Sequence, residues 1–479
     1  MLLRHSLSYF LARGVAGIFN FLAIALYTRL LTPESYGLYA LVMAASGLMN
    51  IVLFQWIKLS QKRYYLTYKD DVAPLLSNIL SLFLLMAFLS GLVVMGAYLL
   101  HIVNLPFIAY LILLLLVWVM AWQELNLDLF TVQFRRLNFG MSTVVRASVA
   151  LLIGSLLAYA GYDAYGVLFG VLLGTLLASL YGWKQNWSTI TPKWDRTVVK
   201  KLFVYGFPFT FTFSFSFVLG TAGRFFIAAY MGEGATGIYS ATYDFSQQTL
   251  LFLMSVINLA AYPLALQALE KSGKDKAREQ IKANGTLLMS IAVPAVVGLI
   301  MLRKPIIDLM MGEAYRTEAM HILPLIVIAA FIEGIKAFHF DLAFQLGEKT
   351  SYQALIAFSG ALTAIVLYVV LIPVFQLQGA AMATLGSFLV TLILSIMLGR
   401  GIFKIPFPFC DTFKIVLSTL MMGMFLAVWD VEKTSWFVLL LQMTGAIIVY
   451  GISFLILNVG QYRSELIKIL GRQVKKYGA

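Results

Sequence analysis

Fourteen apolar runs, joined by connections of which every second one is basic, predict an all-α polytopic membrane protein of about 14 transmembrane helices. Two six-helix lobes and two extra C-terminal helices account for that number. Composition decides the class. Of 479 residues, 61% are hydrophobic and 12% charged, and the mean hydropathy is +0.87. Soluble domains carry roughly 25% charged residues. No soluble core could cover this much apolar surface, so lipid replaces water as solvent for most side chains. One cysteine, Cys410, excludes an intramolecular disulfide and argues against a cysteine metal site.

A helix that crosses the hydrocarbon core needs about 20 residues. The runs start near Ser8, Ser35, Pro74, Val103, Ser142, Tyr165, Leu202, Gly237, Gly285, His321, Ser351, Leu377, Phe413 and Trp436. The first has a basic start at Arg4 and His5. Arg13 interrupts its apolar stretch and no cleavage site follows, so it reads as a span and not as a signal peptide. The second to sixth are set apart by short polar breaks. The seventh and eighth are long enough to extend past the bilayer. Between the ninth and tenth, residues 305–311 form a short apolar piece, read as re-entrant or surface-lying. The thirteenth and fourteenth precede a basic tail.

Orientation follows from Lys and Arg, which cytoplasmic connections retain. One side holds Lys58, Lys62, Arg63, Lys69, Arg135, Arg136, clusters within 184–201 and 271–282, Lys349, Arg400, Lys404 and Lys414. The tail adds Arg463, Lys468, Arg472, Lys475 and Lys476, while the other side holds Arg29, Arg303, Lys304, Arg316 and Lys433. Both termini are therefore predicted cytoplasmic. Most of the net charge of +13 is a topology signal plus attraction to anionic lipid, and nucleic acid is not an expected partner.

An internal echo sets the lobes. Residues 29–40 read Arg-Leu-Leu-Thr-Pro-Glu-Ser-Tyr-Gly-Leu-Tyr-Ala and residues 229–240 read Ala-Tyr-Met-Gly-Glu-Gly-Ala-Thr-Gly-Ile-Tyr-Ser. Gly37-Leu38-Tyr39 falls on Gly237-Ile238-Tyr239, a Gly-aliphatic-Tyr start read as the geometry of a turn between paired spans. A second echo places Tyr165-Gly166 at the sixth span beside Gln378-Gly379 at the twelfth, each followed by small residues that allow close helix contact. The division expected is 1–200, 201–400 and 401–479. With six spans per lobe the repeat is parallel.

No catalytic constellation is visible. His5, His101, His321 and His339 have no metal-ligand spacing, paired carboxylates are absent from the extracytoplasmic connections, and no glycine-rich loop would hold a nucleotide. Neither an enzyme nor a cofactor is expected. What remains is charge inside the membrane: Arg13, Arg146, Arg224 and Lys336. Each would cost about 2.5–3.5 kcal/mol at mid-bilayer, so they face protein or water. Arg13 and Arg146 are shallow enough to snorkel to headgroups as the alternative. Lys336 has Glu333 three residues before it, so mutual neutralisation is another.

Polar strips accompany these cations. Gly17, Asn20 and Thr28 run with Arg13; Thr210, Ser214 and Thr221 run with Arg224, with Phe217 as an apolar exception. In the eighth span Ser240, Asp244, Gln247, Gln248, Ser255 and Asn258 share one side. Internal hydrogen bonding between packed helices explains any single strip. Together they favour a hydrated central cavity with Arg13, Asn20, Arg146, Arg224 and Lys336 as substrate-binding candidates. Buried arginines suit an anionic, phosphate-bearing ligand. Asp244 and Glu333 are the ion-coupling candidates, and a salt bridge to Arg224 or another base is the alternative for Asp244.

The chain resembles the polysaccharide transporters of the MOP (multidrug/oligosaccharidyl-lipid/polysaccharide) superfamily, which include the Wzx-type O-antigen flippases. The pieces that carry the likeness are residues 29–39, Tyr205-Gly206-Phe207-Pro208, Gly237-Ile238-Tyr239-Ser240, Met311-Gly312-Glu313-Ala314-Tyr315 and Gly379-Ala380-Ala381-Met382-Ala383-Thr384. The resemblance implies two six-helix lobes around a central cavity that work by alternating access in the inner membrane. It implies transport of undecaprenyl-diphosphate-linked oligosaccharide toward the periplasm, for O-antigen, lipopolysaccharide, capsule or exopolysaccharide synthesis. It also implies the polymerase and chain-length proteins of that pathway as partners. Related lipid II flippases have two further helices and cavity arginines near the diphosphate, and Arg13 is similar in position to one of these. Two other classes stay open. One is a cation-coupled drug or metabolite antiporter, marked by essential acids. The other is a membrane polymerase or ligase, which would need a larger extracytoplasmic loop than the stretch around 303–320.

Overall fold

The computed structural model describes residues 2–101, 106–429 and 435–464, with backbone alone for 2–13, 184 and 260. The expected fourth-span start at Val103, Lys433, and the tail cations Lys468, Arg472, Lys475 and Lys476 lie outside the described residues. The long helices are α1 (Leu2–Leu30), α2 (Pro33–Tyr64), α3 (Ala73–Leu99), α4 (Phe107–Val132), α5 (Arg136–Leu157), α6 (Asp163–Ser179) and α7 (Arg196–Met231). They continue with α8 (Glu233–Ser246), α9 (Phe252–Met301), α10 (Arg303–Met310), α11 (Glu313–Ile335), α12 (Ser351–Arg400), α13 (Phe409–Val428) and α14 (Trp436–Ile456). No strand occurs among the described residues.

Ten helical runs are long and apolar enough to cross a membrane, and three of these are double. Arg136–Gly182 breaks at Gly161 (φ +91°), Glu233–Met301 at Gly273 (φ +80°) and α12 at Gln376 (φ +52°). Left-handed backbone cannot continue a right-handed helix, and the chain turns back at each break. With α1 counted, the described residues make fourteen crossing segments, as the apolar runs predict. The piece at 305–311 falls on α10, too short to cross, with Ile306, Ile307 and Met310 buried and Arg303 and Lys304 exposed. The chain is a multi-pass membrane protein. Large exposed side chains such as Leu92, Val370, Phe437 and Ile447 are what a lipid-facing surface requires. Below, the basic end means the helix ends whose connections carry most Lys and Arg.

The chain forms two compact units. Unit 1 comprises residues 1–241 and 357–380; unit 2 comprises 242–356 and 381–479. In unit 1, α2 opens on Thr32, whose side chain accepts the Ser35 N–H at 3.3 Å, with Pro33 in the first turn. The two copies of the glycine echo meet here. A Cβ on Gly37 would fall 2.7 Å from the Glu233 carbonyl carbon, and one on Gly237 would fall 2.9 Å from the Pro33 carbonyl carbon and from Gly37 N. Positions 33 and 37 of one copy thus face 237 and 233 of the other, as in a two-fold contact. The echo was read as turn geometry; it is a crossing of two helix starts that only glycine permits.

Small residues also join α5 to α6, where a Cβ on Gly174 would lie 2.6 Å from the Arg146 carbonyl oxygen. The core of unit 1 gathers Ile57, Ile79, Leu116, Leu125 and Leu168. Trp187, in the basic connection between α6 and α7, is 2% exposed and donates from Nε1 to Asn126 Oδ1 at 2.8 Å. The connection is therefore anchored, and Asp195 at its end caps α7 by accepting from Thr197 N at 2.8 Å.

In unit 2 the α13–α14 pair packs on the second half of α9, with the Tyr450 hydroxyl donating to Ser290 O at 2.7 Å. Asp411 accepts from the Thr286 hydroxyl at 3.2 Å and from Gly460 N at 3.1 Å. Two π-helical turns, Gln247–Leu251 between α8 and α9 and Lys336–Phe340 after α11, interrupt otherwise regular helices. Such single-turn bulges are frequent at functional sites.

Candidate functional site

The two π-turns organise the polar cluster of unit 2. Gln247 opens the first and donates from Nε2 to Glu333 Oε2 at 2.8 Å. Lys336 opens the second and donates to Asp341 Oδ2 at 2.7 Å. Ser395 on α12 donates to Asp341 Oδ1 at 2.6 Å. The expected neutralisation of Lys336 by Glu333 is thus replaced by an ion pair with Asp341, although Glu333 remains within electrostatic range. The side chains of Lys336 and Asp341 are 19% and 10% exposed. A lone charge at that depth is expensive, and the pair with its hydroxyl donor is how the fold tolerates both. Asp244 is half-buried on α8, and Ser240 in the same strip is fully buried.

Unit 1 carries a second polar cluster. Lys58 on α2 pairs with Glu124 on α4 at 2.5 Å, and Lys62 one turn later pairs with Asp128 at 3.6 Å. The matched spacing of four on two helices that run the same way makes a charged ladder. Gln61, between the two lysines, donates to Leu125 O at 2.9 Å. Arg146 on α5 is half-buried, with Glu124 and Tyr39 near enough to act on its charge. Lys58, Glu124 and Arg146 together carry one net positive charge.

Arg224 is half-buried on α7. The neighbouring Gly223 and Phe226 pack on Tyr368, whose ring lies 5.7 Å from that of Phe226. In its strip Thr210 is buried, and Ser214 and Thr221 are half-buried. Phe217, the apolar exception, fills the place of the side chain that Gly47 lacks, 2.9 Å from where its Cβ would stand. Asn20 is exposed on α1. Arg13 lies on the same helix, and its side chain is outside the described residues. The sequence reading missed Glu124, Asp128 and Asp341. The first two were detectable as acids in an apolar run. Among the described residues no group of three or more His, Cys, Asp or Glu is placed to hold a metal ion.

A family model described as "Polysaccharide biosynthesis protein" matches residues 26–320, more than half the chain. The chain belongs to this polysaccharide biosynthesis family. No curated protein matches the sequence. Among solved structures, the fold is similar to a lipid II flippase MurJ in an inward closed conformation. The TM-score is 0.78 at 15% identity, covering 94% of this chain and 98% of that one. It is similar as well to an inward-facing multidrug resistance MATE family transporter of the MOP superfamily, with a TM-score of 0.64 at 14% identity over 80% and 94% of the two chains. A MOP superfamily transporter from Pyrococcus furiosus gives 0.57 at 13% identity over 83% and 94%. The family member thus has the MurJ/MATE-type helical fold.

Proposed function

We propose that the protein is a flippase that moves undecaprenyl-diphosphate-linked oligosaccharide repeat units across the inner membrane by alternating access, for O-antigen, capsule or exopolysaccharide synthesis. The observation that carries this reading is that a chain of the polysaccharide biosynthesis family has, over 94% of its length, the fold of a lipid flippase. In this reading 1–200 and 201–400 are the moving lobes, 401–479 follows them, and both termini are cytoplasmic. Arg13, Asn20, Arg146, Arg224 and Lys336 contact the diphosphate or acidic sugars. The net positive charge that Arg146 keeps beside the paired Lys58 and Glu124 supports a phosphate ligand. A polar path spares the sugar hydroxyls a transfer through hydrocarbon at several kcal/mol per unpaired group. Polymerase and chain-length proteins are the proposed downstream partners.

Arg13→Ala and Arg224→Ala, each expressed at the normal level, are expected to lower surface polysaccharide. Unchanged polysaccharide in both variants would refute the arginine account. A second reading, a cation-coupled drug or metabolite antiporter, draws on the carboxylates Glu333 and Asp341 beside the π-turns and on the MATE-like fold. It requires cation transport by vesicles that lack polyprenyl substrate, abolished by Glu333→Gln.

A further inference from the structure

Unit 2 holds a cavity of about 700 Å³ at the basic end, and none of the arginines invoked above, which belong to unit 1, lines it. Its walls come from Phe340 of the π-turn, the last turns of α12, the 401–408 connection and Phe409 at the start of α13. Phe403, Phe407 and Phe409 make it aromatic, with Phe407 stacked on Phe340 at 6.1 Å between ring centroids. Phe403 is fixed from behind, buried against Ala277, Ile281 and Leu342 and capped by the Arg278 guanidinium at 5.8 Å. Two cations, Arg400 and Lys404, are exposed at its mouth. No acid lines the cavity, and no ion pair occupies either cation among the described residues. The lining hydroxyl, Ser395, is already committed to Asp341 at 2.6 Å.

This combination selects a ligand class. Apart from the two cations at the mouth, no side chain of the lining is free to hydrogen-bond a sugar, so an oligosaccharide head finds no acceptor and little to grip inside. Aromatic walls want hydrocarbon, and the paired cations want a compact anion such as a phosphodiester. We propose that the cavity is a binding site for an anionic phospholipid of the surrounding leaflet. Its phosphate sits between Arg400 and Lys404, and the first part of one chain lies against Phe403, Phe407 and Phe409. Cations near a membrane surface each strengthen an anionic lipid contact by roughly fivefold, so the pair supplies about thirtyfold. Phe340 of the π-turn and Ser395, the donor to Asp341, line the cavity, so the bound lipid packs beside the partners of the Lys336–Asp341 pair.

Cys410, the chain's single cysteine, is exposed beside Phe409 and accepts an environment-sensitive fluorophore with no added mutation. The full chain, labelled there and placed in phosphatidylcholine nanodiscs, is titrated with phosphatidylglycerol. A saturable response is expected, with half-saturation moved about thirtyfold higher in R400Q/K404Q. K200Q/K201Q, which removes two cations from the first turns of α7, should leave it unchanged. Ile396→Trp, which fills the cavity and spares both cations, should abolish saturation. A linear response, an equal loss in the two cation pairs, saturation retained in Ile396→Trp, or saturation by undecaprenyl phosphate but not by phosphatidylglycerol would each overturn the proposal.

Discussion

The crossing of α2 and α8 predicts a coupling between two positions 200 residues apart in sequence. Gly37→Ala places a methyl 2.7 Å from the Glu233 carbonyl carbon, and Gly237→Ala places one 2.9 Å from Gly37 N. The obstacles are backbone, so neither can rotate away. The helix starts must separate by about an ångström, at a cost of roughly 1–3 kcal/mol for each substitution. Because both methyls occupy the same gap, the separation that relieves one relieves the other. The double variant should therefore cost about as much as one single variant, a coupling of roughly 1–3 kcal/mol. Thermal unfolding of the purified protein, followed by tryptophan fluorescence, reads this at ~2–4 °C per kcal/mol. Gly91→Ala on α3, with nothing within 4 Å of the added methyl, is the control and should cost nothing. Additive losses in the double variant, or single variants no worse than Gly91→Ala, would refute the shared-gap reasoning.

Three further outcomes follow from the described contacts. Lys336→Met leaves Asp341 with Ser395 alone and should destabilise by about 3–5 kcal/mol. Asp341→Asn, which keeps the Ser395 acceptor and leaves Lys336 near Glu333, should cost less, and Lys336→Met/Asp341→Leu should come close to wild type, all measured by the same melts. Glu333→Gln still accepts from Gln247 and should shift stability by less than about 1 kcal/mol, whereas Glu333→Leu strands that amide and should cost about 1–3 kcal/mol. Trp187→Phe should lose about 1 kcal/mol for the Asn126 hydrogen bond, and Trp187→Ala about 3–5 kcal/mol for the buried ring, as read by denaturant or thermal unfolding.

Much of the fold was legible because its signals are local. A span is a contiguous apolar run, and a break such as Gly161 or Gly273 lies in the gap between two runs. The site was less legible because its partners are distant or off-register. Lys58 and Lys62 read as loop cations, yet both lie on α2 opposite acids 66 residues later, on a different helix. Asp341 lies five residues beyond Lys336, a spacing that an α-helix would direct away from it. The extra residue of the π-turn brings the two together. Glycine echoes are visible in sequence, but that two copies touch each other requires coordinates. Phe217, an exception in a polar strip, makes sense only against the missing side chain of Gly47.

The π-turns also act as a dial. Each holds one residue more than the α-helix around it, and one residue in an α-helix amounts to 100° of rotation. Deleting Thr249 would let Gln247–Leu251 relax to regular helix with both flanks near their present orientation, because the turn takes up its extra residue in place of such a rotation. Gln247 and its neighbours inside the turn would be re-aimed, so the bond to Glu333 would change with no substitution at either residue. At Lys336–Phe340 one deletion would bring Lys336 and Asp341 to a spacing of four, at which a regular helix also holds an ion pair, so there the pair would survive the loss of the turn. Side-chain chemistry in unit 2 is thus set partly by an integer, the number of residues wound into two turns. Length variants there are a route to new specificity that point substitutions do not reach.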